Sequence, residues 1–226
     1  MEDKKNLAFG KMNFILLAIG VAVVIIGFFL MSTSGSDETH FNPEILILAK
    51  TLLAERELTK AFREDRIEKY YRLIVAGQVP KNGAIEGYLK KDEKANTVTF
   101  SKEEVPGSKY SKTEYERLSD DKLGACCFPD TNTLSYVEAK LLTGRSHQLR
   151  VHFASTGHPI LLDPKYGNEK INRRVAEKLP ADIEKRQLLH SFRISFPALP
   201  EALSDLSKRE VECAVPAIFD LVMNEN

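Results

Sequence analysis

The chain has 226 residues, enough for one globular domain or a domain with an appendage. Lys plus Arg and Asp plus Glu each number 32, so no global basicity marks a nucleic-acid binder and any RNA-binding surface must be local. Cys126, Cys127 and Cys213 are odd in number and lack CxxC spacing, which excludes a disulfide framework or zinc site and fits reduced thiols.

The first element is apolar. Phe14 to Met31 reads FILLAIGVAVVIIGFFLM, eighteen residues without a charge. At about 1.5 Å per residue this just spans a hydrocarbon core of roughly 30 Å, so a transmembrane helix is predicted over residues 14–31. Lys4, Lys5 and Lys11 precede it and Asp37 and Glu38 follow it, which places the N-terminus in the cytoplasm. A signal peptide and a buried core helix compete with this reading. The run is long for the first and no A-x-A-like site follows; it lacks the polar face expected of the second.

From Ile45 the composition changes. Ile45–Ala49 (ILILA) predicts a short buried strand, and Thr51–Glu64 predicts an amphipathic helix through Leu52, Leu53, Leu58, Ala61 and Phe62. Ile67–Val75 reads as a strand. Further strands are predicted over Thr97–Phe100, Lys112–Arg117, Gly124–Phe128 and Leu134–Leu142. Turn-rich pieces such as Pro80-Lys81-Asn82-Gly83 and Pro106-Gly107-Ser108 separate these short segments. In the last strand Tyr136, Glu138 and Lys140 alternate with Val137, Ala139 and Leu141, as half-burial requires. His147 to Thr156 is helical and ends at Gly157, residues 168–187 are helix or loop, and Leu188–Phe196 is a strand. The pattern is that of an α+β protein with a mixed, largely antiparallel sheet.

Between Lys140 and Val175 seven basic residues face two acidic ones, a local surplus in a neutral chain that a solvated face would also give. Within this stretch lies LLTGRSHQLRVHFASTGHPILLDPKYG, from Leu141 to Gly167. It resembles the signature of the RluA-type RNA pseudouridine synthases, L-x-TGRTHQIRVH-x-A-x-x-GHPI-x-GD-x-x-YG. The segments LILAK, FREDRIEKYYRLIV and LLHSF match the same family's LLLLAK, FRERRVEKRYLALV and LHA-x-x-L-x-F. Upstream, residues 9–45 resemble the start of a small family of two-helix membrane proteins of unknown function, through FGK-x-N, GF-x-LMS and FNPEI. A second membrane helix, expected in that family, does not follow.

The resemblance implies the partial catalytic domain of a pseudouridine synthase over residues 45–226, truncated at its start, behind a membrane segment and linker over residues 1–44. It implies isomerisation of uridine in ribosomal or transfer RNA, with RNA as partner and no metal or organic cofactor. Arg145 stands where the family's arginine pairs with the catalytic aspartate; its planar fork suits a carboxylate or phosphate. Tyr71 stands at the tyrosine that stacks on the flipped uracil, and Leu189 would line the uracil pocket. Core packing is the competing reading for both. Lys69, His147, Gln148, Arg150 and His152 complete an expected RNA-binding set, with a solvated helix face as the alternative for Arg150 and His152. Asp163 and Tyr166 are expected to shape the loop, and Leu162 stands where the family often has glycine.

One motif is missing. The family's HRLD-x-x-TSG, laid back from Ile45, puts Thr39 at the nucleophilic aspartate and Asp37 at the arginine that assists base flipping. A threonine hydroxyl is neither anionic nor acidic near neutral pH. Asp37 and Glu38 are out of register, and a one-residue shift on a strand turns a side chain to the other face. The expectation is therefore an inert site. A membrane-tethered RNA-binding module and a non-functional chimera are the rival readings.

Overall fold

The computed structural model describes residues 45, 47–118, 134–183 and 185–224. The expected membrane helix over residues 14–31, Thr39 with its neighbours Asp37 and Glu38, and the strand expected over Gly124–Phe128 lie outside the described residues. Among the described residues no helix is long and apolar enough to cross a membrane.

Thr51 starts the first helix, α1 (Leu52–Arg63), by accepting a hydrogen bond from the Ala54 N–H at 3.1 Å. Glu55 in its first turn and Lys60 and Arg63 in its last complement the helix dipole. Its inner face, Ala54, Leu58 and Ala61, packs with Ile67, Ile194, Phe196 and Leu203. Ile45, Ile47 and Ala49 are half-buried against the same cluster but are not a strand, which corrects the expectation for Ile45–Ala49. A strand needs a ladder partner, and both edges of its neighbour in sequence, β1 (Glu68–Ala76), are already taken.

The remaining strands are β2 (Asn82–Asp92), β3 (Thr97–Ser101), β4 (Lys109–Arg117), β5 (Leu134–Leu141), β6 (Leu189–Ser195) and β7 (Glu210–Glu212). They form one seven-stranded sheet in the order β3-β2-β4-β5-β1-β6-β7, and every pairing in it is antiparallel. The largest departure from the sequence expectations is β2, whose first residues, Asn82 and Gly83, fall in an expected turn. Gly83 and Gly87 give the strand its loop-like composition, yet both are close-approach positions. A Cβ on Gly83 would lie 2.4 Å from the Tyr115 hydroxyl, and one on Gly87 would lie 2.6 Å from the Ser101 carbonyl oxygen.

Side-chain alternation gives the sheet two apolar faces. Leu73, Val75, Val137 and Ala139 pack with Ile85 and with Leu149 and Phe153 of α2 (Gln148–Ser155). Ile74, Ala76 and Leu134 pack on the other face with Val175 of α3 (Glu169–Lys178) and with Phe219 and Val222 of α4 (Ala217–Asn224). Beside this second core the same face turns polar. Glu138 of β5 receives Arg72 and Arg193, each at 2.8 Å, and Lys140 meets Glu68 at 2.5 Å. That is the polar side the alternation in β5 anticipates. The first face carries α2 and the turn leading into it.

Candidate active site

The turn from Thr143 to His147 is fixed by one buried amide. Gln148 Oε1 accepts from the Thr143 hydroxyl at 2.8 Å and from the Arg145 N–H at 3.1 Å. Its Nε2 donates to the Lys112 carbonyl at 2.9 Å and to the Thr113 hydroxyl at 3.0 Å. All its hydrogen-bonding capacity is used at 2 % exposure, so Gln148 fastens the turn to β4. His152 is likewise buried: Nε2 lies 2.8 Å from the Ser111 hydroxyl and Nδ1 lies 3.0 Å from that of Thr113. Burial pushes its pKa down to about 4, so the ring is neutral at pH 7.

Arg150 points back under the loop after α2. Its Nε and Nη2 hold both oxygens of Asp163 at 2.8 and 2.7 Å, and the guanidinium lies 5.1 Å from the centre of the Tyr166 ring. Asp163 also accepts the backbone N–H groups of Lys165 and Tyr166. Burial raises its carboxyl, but these donors outweigh that and hold it below its usual range. Leu162, where the family often has glycine, has φ +57°, and its N–H is held by Asn172 Oδ1 at 2.8 Å. The left-handed backbone explains why glycine suits the position. His147, itself at φ +53°, sits with Nδ1 2.9 Å from the Tyr166 hydroxyl. Burial, with Arg150 and Lys165 nearby, lowers its pKa.

These contacts correct part of the sequence reading. Gln148 and His152 reach no surface, because the buried hydroxyls of Ser111 and Thr113 need partners inside the fold. Arg150 is a bidentate clamp on a carboxylate whose side chain is 0 % exposed, rather than a free cation for phosphate. The signal that would have flagged them is the pair of small polar residues, Ser111 and Thr113, alternating on β4.

The remaining site residues gather at the other end of the segment. Arg145 donates its Nε to the Tyr110 carbonyl at 3.0 Å, and no described carboxylate forms an ion pair with it. Tyr71 lies in the middle of the sheet, opposite Ala139 on one side and Ser191 on the other, beside an irregularity in the β1–β6 register. Leu189 pairs with Leu73, and both Tyr71 and Leu189 are half-buried against the α2-facing core. Lys69, two residues before Tyr71, is 9 % exposed with Nζ 3.6 Å from Asp65, a neighbour that the sequence reading did not single out. The fold thus brings Tyr71 and Leu189 to one core, and Lys69 to the turn that carries Arg145.

A family model described as RNA pseudouridylate synthase matches residues 45–155. A family of unknown function, DUF3098, matches residues 8–55. The chain is 33% identical over 158 residues to ribosomal large subunit pseudouridine synthase D of Neisseria meningitidis serogroup B, covering 67% of this chain and 38% of that protein. It is 33% identical over 154 residues to ribosomal large subunit pseudouridine synthase C of Vibrio vulnificus, covering 67% of this chain and 43% of the relative. The chain therefore spans about two fifths of the length of these curated relatives. Among solved structures, the human RNA pseudouridylate synthase domain containing 1 superposes with a TM-score of 0.54 at 27% identity, over 75% of this chain and 62% of that one. Through residues 45–155 the chain belongs to the RNA pseudouridylate synthase family.

Proposed function

We propose that this chain is an RNA-binding member of the family that does not turn uridine into pseudouridine. The observation that carries the reading is the sequence register, which puts Thr39 where the family's HRLD-x-x-TSG has its nucleophilic aspartate; Arg145, whose guanidinium meets the Tyr110 carbonyl, is the cation left to meet RNA. The relatives' names point to ribosomal RNA as the substrate class. Tyr71 would stack on an extruded uracil with Leu189 against its edge, and Arg145, Lys69 and His147 would meet the backbone. The reaction breaks a glycosidic bond with help from a carboxylate, and Thr39 at the expected position supplies none.

Uridine-containing RNA titrated into the full chain at several salt concentrations tests the binding half. Affinity should fall linearly on a log–log salt plot, and Arg145→Ala should reduce the slope by about 0.7–0.9. Salt-independent binding, or binding indifferent to Arg145, would overturn it.

A second reading is favoured by a different observation. One family match ends at residue 55 and the other starts at residue 45, so two different family patterns overlap only over residues 45–55. This supports a chimera of a DUF3098-like segment, membrane-inserted through residues 14–31, and a synthase segment. Sequencing of the source DNA and transcript across codons 30–60 separates a genuine join from a false one.

A further inference from the structure

We infer that Lys69 and Gly144 form a binding site for a small oxyanion, a phosphate or carboxylate group, entered over the side of Gly144 that has no side chain. Lys69 is nine-tenths buried, and an ammonium has three donors to satisfy. Among the described residues it makes no hydrogen bond. Asp65 forms an ion pair with it at 3.6 Å, too long for a hydrogen bond, and Phe62 offers only its ring face at 5.9 Å, so the charge has a counter-ion while its N–H groups still have no described acceptor. The opposite face of the sheet shows what a satisfied lysine looks like here, with Lys140 on Glu68 at 2.5 Å.

The opening is equally specific. Gly144 is exposed, and a Cβ placed on it lies 3.4 Å from Lys69 Nζ. Among the described residues other than its neighbours Thr143 and Arg145, nothing else comes within 4 Å of that point, so the missing side chain is what leaves the ammonium approachable there. The next residue is Arg145, whose Nη groups donate to no described acceptor. An oxyanion over Gly144 would accept from Lys69 and sit beside a second cation. No chemistry is required of it; the site stands on the geometry and does not rest on RNA binding.

The test is calorimetric titration of inorganic phosphate, and separately of acetate, into the full chain at constant ionic strength set with chloride. Wild-type protein should bind phosphate above the chloride background. Lys69→Met, which removes the charge, and Gly144→Leu, which keeps the charge and covers it, should each weaken binding about tenfold or more. Lys165→Ala, a neighbouring cation outside the site, should change it little. Circular dichroism of each variant confirms folding, and Gly144 lies outside the positive-φ region, so its backbone tolerates leucine. Absent phosphate binding, or equal binding by all variants, overturns the site. A uridine-rich RNA supplies the source: competition with phosphate makes the ligand a backbone phosphate, and independent binding makes it a free oxyanion. RNA binding without phosphate binding overturns this site alone and leaves the RNA-binding reading standing.

Discussion

Arg145 and Arg150 are five residues apart in one motif and do opposite things. Arg150 reaches a carboxylate that is completely buried, holds both its oxygens and is itself 14 % exposed at the side chain. Arg145 lies at the surface with one nitrogen on a carbonyl and no described counter-charge. Between them Gln148 and His152 are locked to β4. The segment is therefore a structural anchor at one end and a receptive surface at the other. Residue type does not tell the two apart. Burial and partners do.

The contrast can be broken at its anchored end first. Asp163→Asn leaves Arg150 buried without its counter-charge and should cost about 3–5 kcal/mol, read as a lower urea midpoint. Retention of wild-type stability would show that the clamp is dispensable. Next comes pH. The His152 pKa is about 4 in the folded chain against an ordinary 6.5, so the unfolded chain binds the extra proton between those values. The stability this contributes is complete above about 6.5 and is lost as pH falls toward 4, by roughly 3 kcal/mol at most. Asp163, also held low, adds to the loss only below the ordinary carboxylate range. Denaturation curves between pH 7 and 4.5 check this, and His152→Gln should reduce that slope, leaving the part that His147 and His190, also held low by burial, contribute in the same window.

Leu162→Gly sharpens the same loop. Glycine relieves a left-handed strain of about 1–2 kcal/mol, but it removes a leucine only 7 % exposed, whose burial contributes about 1.5–3 kcal/mol plus a cavity term. The burial term wins, so the variant should be less stable by about 1 kcal/mol in thermal unfolding. At the receptive end Arg145→Ala should move stability by no more than about 0.5 kcal/mol while weakening RNA binding. A large loss of stability there would place Arg145 in the anchor after all.

Much of the frame was legible in sequence. The amphipathic spacing of Leu58 and Ala61, the alternation in β5 and the glycine after α2 each state one local physical fact and were found as read, whereas Leu52 and Leu53, expected on the same apolar face, are exposed. Strand β2 was not legible, because glycines at 83 and 87 read as turn residues until Tyr115, Phe100 and Ser101 are seen packed against them. Of the site, the resemblance located the turn and its arginine. It could not show that α2 is buried on its polar as well as its apolar side, with Gln148 and His152 satisfying hydroxyls from a strand more than thirty residues earlier. Long-range polar pairing leaves no periodic trace in a sequence.

The most direct test of the central claim is a tritium-release or mass-spectrometric assay for pseudouridine, with the full chain and ribosomal RNA lacking the modification. The expected result is Arg145-dependent binding with no pseudouridine formed. Pseudouridine formed by this chain would contradict the account and require that a carboxylate, Asp37 or Glu38 first among them, reaches Arg145.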